Sequence, residues 1–197
     1  MSKVILITGA SSGIGKAIGD FLCTKDFKVY GTSRNPSKYL DSNFQLFNLN
    51  VNNSDSINSC IDKIIKIEGV LDVLINNAGV GITGPLEEIP EIEIKNNFST
   101  NFFGPLNIIK KVLPFMRSQK SGLIVNITSL AAYVGTPYRS VYSASKAALD
   151  LVSETLNMET KPFNIKVVSV APGEFSTNIA SRRYHSSSDN KSPYHLN

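Results

Sequence analysis

Short apolar runs alternate with longer stretches in which apolar residues recur at helical spacing. Such stretches predict helices over residues 15–24, from Ser54 as an N-cap, and over residues 91–117 and 141–160. Apolar strands separated by helices are typical of a parallel sheet with helices on both faces. The pattern therefore predicts a three-layer, doubly wound α/β protein. The predicted strands span residues 4–8, 28–32, 44–49, 71–75, 123–128 and 165–171.

Length and composition favour one globular domain over residues 1–180, followed by a tail. The tail, residues 181–197, is rich in serine and asparagine and is predicted to be a mobile segment over a substrate pocket. The 42% hydrophobic and 18% charged residues suit a soluble protein, and no apolar run is long enough for a membrane span. The net charge of +4 is scattered, so we expect no binding to nucleic acid or membrane. The two cysteines, Cys23 and Cys60, have no metal or redox spacing, so we expect reduced thiols in a cytoplasmic protein.

Three glycines, Gly9, Gly13 and Gly15, lie between the first predicted strand and the first helix. Such a turn lets the backbone approach a pyrophosphate at the helix N-terminus. A phosphate-loop NTPase is excluded, because its motif needs glycine at position 10 and serine or threonine at position 17, and both are alanine. The turn therefore predicts a dinucleotide site.

The end of the second predicted strand bears on the choice of cofactor. An NAD site usually has an acidic residue there, but this chain has Ser33 and Arg34. Arg34 could pair with a 2′-phosphate and Ser33 could donate to it, although Arg34 could instead stack on adenine. We predict that NADP(H) is preferred, with NAD(H) as the alternative.

Tyr142 and Lys146 are four residues apart, and therefore on one face of a predicted helix. A phenol is a poor proton donor or acceptor at neutral pH, but an adjacent ammonium favours the phenolate. A surface pair on an amphipathic helix is the alternative interpretation. Together with the glycine turn, the pair predicts acid–base chemistry next to a bound nucleotide.

Several landmarks occur in order along the chain: residues 8–15, the Asn76-Asn77-Ala78-Gly79 segment, Asn101, Ser129, Tyr142 with Lys146, and Pro172-Gly173. With these landmarks the chain resembles the short-chain dehydrogenase/reductase family. The resemblance implies a Rossmann-type fold, a nicotinamide cofactor and hydride transfer between an alcohol and a carbonyl. Family members usually continue through a further helix and a seventh strand, which we expect to be missing from this sequence.

The resemblance also implies residue roles. Tyr142 would be the general acid or base, Ser129 would bind the substrate oxygen, and Lys146 would bind the nicotinamide ribose. Asn101 would order a water that relays protons to Lys146, and Pro105, which has no amide hydrogen, would leave the Asn101 carbonyl free for that water. The implied cofactor-binding residues are Gly9, Ser11, Ser12, Gly13, Ile14, Gly15, Ser33, Arg34, Asn50, Val51, Asn77, Ala78, Gly79, Tyr142, Lys146, Pro172, Gly173 and Thr177.

Two departures from the family pattern concern the cofactor. Asn50 stands where the family often has aspartate, so a neutral hydrogen-bonding group would contact adenine. Neither Ser11 nor Ser12 is basic, although some NADP-dependent members place a cation there. The prediction of NADP(H) therefore depends mainly on Arg34.

The inventory of histidines excludes two other kinds of site. His185 and His195 are the only histidines, and both lie in the predicted tail. A serine hydrolase built on Ser129 would lack a well-held base, and no histidine-based metal site is predicted.

The predicted pocket walls, residues 80–86, 130–138 and 174–184, are largely apolar. They favour a hydrophobic secondary alcohol, ketone or aldehyde as substrate. Residues 81–87 resemble the hydroxysteroid and retinol dehydrogenase branch. Since the family pairs its two long helices across a two-fold axis, a homodimer or homotetramer is expected. The alternative function is a catalytically silent NAD(P)-binding regulator or a truncated form.

Overall fold

The computed structural model describes residues 2–39, 41–175, 182–186 and 192–194. Its centre is a six-stranded parallel sheet in the order β3-β2-β1-β4-β6-β7. A second, two-stranded sheet pairs β5 with β8. The strands are β1 (Val4–Ile7), β2 (Lys28–Ser33), β3 (Gln45–Asn48), β4 (Val73–Asn76), β5 (Ile82–Thr83), β6 (Gly122–Ile127), β7 (Ile165–Val170) and β8 (Tyr184–His185).

Helices cover both faces of the main sheet, which confirms the predicted three-layer, Rossmann-type α/β fold. On one face, Ile61 of α2, Val112 of α4 and the partly buried Leu156 of α5 share a core with Leu74 of β4. On the other face, Ile18 of α1 packs with Ile5, Ile7 and Ile75. The helices are α1 (Gly13–Cys23), α2 (Ser54–Glu68), α3 (Glu91–Phe98), α4 (Gly104–Gln119) and α5 (Ser140–Thr160).

Two details of the predicted helices were wrong. The N-cap of α2 is Asn53 rather than Ser54, and its side chain accepts a hydrogen bond from the Ser56 amide at 2.7 Å. The predicted helix over residues 91–117 is α3 and α4 separated by a π-helical turn, Ser99–Phe103. Pro105 follows this turn and cannot donate to the carbonyl of residue 101, so the regular α-helical ladder cannot pass through.

The predicted loose tail contains a described segment with defined pairing. In the two-stranded sheet, the Tyr184 amide donates to the Gly81 carbonyl at 3.1 Å, and the Ser186 amide donates to Thr83 at 3.0 Å. This segment therefore lies beside the loop that follows β4.

Candidate active site

The site lies at the carboxyl edge of the parallel sheet, where ligands bind in open α/β folds. Thr8 follows β1 there and holds two loops together. Its hydroxyl oxygen accepts hydrogen bonds from the backbone amides of Asn77 and Ala78, both at 3.0 Å. In return, the Asn77 side-chain amide donates to the carbonyls of Thr8 (2.9 Å) and Gly9 (3.1 Å). The glycine turn and the loop after β4 are therefore one hydrogen-bonded unit.

Glycine is required at the start of this turn for two reasons. Gly9 has a φ of +64°, in the left-handed region that L side chains rarely adopt. A Cβ atom at Gly9 would also lie 2.9 Å from the Cα atom of Ala78. The chain thus brings two backbone segments close together and leaves the space before α1 open to a ligand.

A buried polar chain fixes β4, β6 and α5 relative to one another. The Asn76 side-chain amide donates to the Asn126 side-chain oxygen at 2.8 Å, and the Asn126 amide donates to the Ser153 hydroxyl at 2.8 Å. Ser153 in turn donates to the Leu149 carbonyl at 2.6 Å. Because α5 carries Tyr142, this network sets the height of that side chain above the sheet.

Asn101, in the π-helical turn, binds the loop after β4 through its side chain. Its Oδ1 accepts from the Val80 amide and its Nδ2 donates to the Val80 carbonyl, both at 2.9 Å. Nδ2 also lies 3.3 Å from the Ser145 hydroxyl on α5. The buried Asn101 amide therefore connects this loop to the helix that carries Tyr142 and Lys146.

Lys146 is buried, with 4% of its surface exposed, and its ammonium donates to the Ile127 carbonyl at 2.7 Å. Burial lowers the pKa of Lys146 to about 8, because removing the ammonium from water disfavours its charged form. Tyr142 lies one turn earlier on α5 and is 7% exposed. The Arg139 guanidinium carbon lies 5.0 Å from the centre of the Tyr142 ring, at cation–π distance.

Ser129 lies two residues after the end of β6. Its backbone is extended, and its hydroxyl oxygen accepts a hydrogen bond from the Ala131 amide at 3.2 Å, so it caps a short 3-10 turn. Ser129, Tyr142 and Lys146 all line one open cleft of about 500 Å³, together with the glycine turn. That volume is in the range of small-molecule sites.

Most of the predicted cofactor-binding residues line this cleft. Gly15 does not; it lies inside α1, packed against Asn77 and the Gly9 carbonyl. Asn101 lies behind the cleft wall, and Thr177 and His195 are outside the described residues. The predicted residues that line the cleft are Gly9, Ser11, Ser12, Gly13, Ile14, Ser33, Arg34, Asn50, Val51, Asn77, Ala78, Gly79, Ser129, Tyr142, Lys146, Pro172 and Gly173.

Sequence reasoning assigned no cofactor role to several polar residues that line the cleft, among them Lys38, Tyr39 and Arg182. Lys38 and Tyr39 belong to the connection between β2 and β3, and Arg182 lies two residues before β8. Lys38 follows Arg34 closely in the sequence, so the basic character of this connection was a usable signal. Arg182 was included only as part of the predicted pocket wall, residues 174–184.

Exposed apolar side chains occur on the segments that follow β6 and β7, which contribute Ser129, Pro172 and Gly173 to the cleft. Leu130 is 57% exposed and Phe175 is 63% exposed, and Phe175 lines the cleft itself. Tyr133 and Val134, in the predicted wall 130–138, are also more than half exposed. Exposed apolar side chains around a polar site are typical of a surface that receives an apolar ligand.

The described residues offer neither a metal cluster nor a membrane-spanning helix. Among residues 2–39, 41–175, 182–186 and 192–194, no group of three or more metal-ligating side chains is close enough to hold an ion. No helix in the same ranges has the length and apolar character needed to cross a membrane.

Known sequences similar to this chain are dehydrogenases and reductases. A family model described as short chain dehydrogenase matches residues 3–187. The chain is 46% identical over 181 residues to 3-ketodihydrosphingosine reductase of Bacteroides thetaiotaomicron, covering 92% of this chain and 67% of that protein. It is 36% identical over 188 residues to retinol dehydrogenase 8 of Homo sapiens, covering 89% and 60%. The chain thus spans 60–67% of the length of these two relatives.

Solved structures resemble the fold closely. A short-chain dehydrogenase from Streptomyces avermitilis superposes with a TM-score of 0.88 at 37% identity, over 96% of this chain and 72% of that one. The structure of ElxO with NADP bound gives a TM-score of 0.84 at 32% identity, over 92% and 77%.

Proposed function

Because this chain belongs to the short-chain dehydrogenase family of oxidoreductases, we propose that it interconverts a hydrophobic secondary alcohol and the corresponding ketone or aldehyde, using NADP(H). One observation carries the proposal. Ser129, Tyr142 and Lys146 line the same cleft as a glycine turn whose backbone is open to a ligand. A phenol, a hydroxyl and an ammonium beside one groove support a site for proton transfer next to a bound dinucleotide.

In the reducing direction, Tyr142 donates its phenolic proton to the carbonyl oxygen, and in oxidation its phenolate takes the proton back. Ser129 hydrogen-bonds the same oxygen and holds it beside the phenol. The nicotinamide, when bound, supplies or accepts the hydride. The buried position of Tyr142 keeps bulk water away from the proton being transferred.

Lys146 holds the nicotinamide ribose and favours the phenolate of Tyr142. Its ammonium already donates to the Ile127 carbonyl, which fixes its direction and leaves two further N–H groups for ribose hydroxyls. The Asn101 side chain is occupied by Val80, so a relay water would bind the Asn101 main-chain carbonyl. Pro105 cannot compete for that carbonyl, because it has no amide hydrogen.

The cleft fits a nicotinamide dinucleotide. The open backbone at Gly9 and the N-terminus of α1 suit a pyrophosphate. At the end of β2 the cleft offers Ser33 and Arg34, and no carboxylate lines it among the described residues. This favours NADP(H) over NAD(H), and the NADP bound in ElxO supports the same choice.

The exposed apolar side chains of Phe175, which lines the cleft, and of Leu130, near Gly173, favour a long or bulky apolar substrate. The names of two relatives suggest which compounds to test first. One is 3-ketodihydrosphingosine, from the relative at 46% identity, and the other is retinal, from retinol dehydrogenase 8. A 3-ketosteroid represents the third apolar class.

A substrate panel tests this proposal. Loss of NADPH absorbance is followed with 3-ketodihydrosphingosine, retinal, a 3-ketosteroid and, as a small polar control, acetone. We expect at least one long-chain or polycyclic carbonyl to be reduced with a kcat/KM at least about 100-fold above that of acetone. If NADPH binds but none of these carbonyls is reduced, the chain is a nucleotide-binding regulator and the proposal fails.

A further inference from the structure

One end of the cleft carries unbalanced positive charge. Arg34, Lys38 and Arg182 all line the cleft, and no aspartate or glutamate among the described residues does. Across the described part of the chain, none of these three cations forms an ion pair with a carboxylate. Asp41 lies near Lys38, but in a neighbouring depression outside the cleft. Three cations that line one groove without a carboxylate partner among the described residues are arranged to bind an anion.

Arg182 comes to this end of the cleft from a distant part of the sequence. The strand that follows it is anchored on β5, where the Tyr184 amide donates to the Gly81 carbonyl. Interaction of the Tyr39 phenol with Ser11 of the glycine turn, and then with the Arg182 guanidinium, lowers the pKa of Tyr39. Arg182 therefore lies beside the connection between β2 and β3 and lines the cleft with Tyr39.

The position of the cations indicates which anion they serve. The pyrophosphate of a dinucleotide binds at the glycine turn and the N-terminus of α1, whereas the adenosine ribose binds at the end of β2. Arg34 directly follows β2, and Lys38 belongs to the short 3-10 turn, Pro36–Lys38, that comes next. The three cations are therefore grouped around the ribose end of the groove.

We propose that Lys38 and Arg182 bind the 2′-phosphate of NADP(H) together with Arg34. This inference rests on the proposed use of a nicotinamide dinucleotide, and it adds two specificity-determining residues from separate segments of the chain. Lys38 contributes a point charge from the β2–β3 connection. Arg182 contributes a planar guanidinium from the segment anchored on β5.

The test measures binding without catalysis. Emission of NADPH and NADH is titrated with the full 197-residue chain, which contains no tryptophan to interfere. Adenosine 2′,5′-bisphosphate and adenosine 5′-monophosphate are then used as competitors, because they isolate the adenosine end. The variants are Arg182→Gln and Lys38→Gln. Arg183→Gln, which changes the adjacent arginine, is the matched control.

We expect each of the two variants to lower the affinity for NADPH and for adenosine 2′,5′-bisphosphate about tenfold at low salt. Affinity for NADH and adenosine 5′-monophosphate should stay within about twofold, because neither has a 2′-phosphate. Arg183→Gln should leave the ratio of NADPH to NADH affinity unchanged.

Three outcomes would overturn the inference, and they differ in what else fails. If the wild-type chain prefers NADPH and the variants keep the wild-type ratio of NADPH to NADH affinity, Lys38 and Arg182 do not bind the 2′-phosphate. The cofactor proposal would still stand. An equal loss of NADPH and NADH binding would mean that these residues act on a shared part of the cofactor. If the wild-type chain shows no preference for NADPH, the cofactor proposal and this inference fail together.

Discussion

Replacing Thr8 by valine removes one oxygen atom at nearly constant volume, from a side chain that is 1% exposed. That oxygen is the acceptor for the backbone amides of Asn77 and Ala78, both at 3.0 Å. Without it, two part-buried N–H groups lose their partner. The consequence is a less stable loop at the centre of the cofactor groove.

The structure sets the size of this effect. An amide left unsatisfied in a buried position costs about 1–3 kcal/mol, and two such amides at partly buried sites give about 2–4 kcal/mol in all. For a domain of this size, that loss lowers Tm by roughly 5–12 °C. Because Asn77 lines the cleft, affinity for NADPH should also fall.

Thermal and urea unfolding of Thr8→Val and Thr8→Ser check the reasoning. Serine keeps the hydroxyl and loses only a methyl group, so its loss of stability should be about 1 kcal/mol. If valine and serine lower the free energy of unfolding equally, the hydroxyl does not join the two loops and the account of this site is wrong.

Two further predictions concern other parts of the molecule. Burial lowers the pKa of Lys146 to about 8 from its ordinary 10.5, so the unfolded chain binds this proton more tightly than the folded chain. In urea titrations, the free energy of unfolding relative to that of Lys146→Met should therefore rise by about 3 kcal/mol from about pH 8 to about pH 10.5. A difference that does not change with pH would refute this prediction. Leu151 on α5 is 65% exposed, and we expect α5 to pair two copies of the chain. Leu151→Lys should then shift the chain from dimer toward monomer in light scattering, whereas Ile67→Lys on α2 should not. A monomeric wild-type chain at micromolar concentration would contradict this prediction.

Most of the fold could be predicted from the sequence because the patterns that indicate strands, turns and helices lie within short segments of the chain. The apolar run of β1 and the glycines after it predict a strand, a turn and a helix without reference to the rest of the chain. Tyr142 and Lys146 were predicted to share a helix face because helical spacing alone places them there. Pro105 was a local signal that the Asn101 carbonyl is free, but the helix was predicted to run through it, whereas the π-helical turn ends two residues before Pro105.

Features that depend on distant residues could not be predicted in this way. The pairing of β5 with β8 involves two residues on each strand and depends on backbone hydrogen bonds, which leave no alternating pattern. The approach of Arg182 to Tyr39 follows from that pairing. The buried chain from Asn76 to Ser153 uses residue types that are as common in loops as in cores, so sequence spacing gave no sign of it.

The most direct test of the proposed function compares the wild-type chain with Tyr142→Phe, using NADPH and the best carbonyl substrate from the panel. Phenylalanine keeps the buried ring and removes only the proton donor. We predict that kcat falls by about 10²–10⁴-fold, while NADPH binds within about twofold of the wild-type affinity. Turnover close to that of the wild-type chain would show that Tyr142 is not the proton donor and would contradict the proposed mechanism.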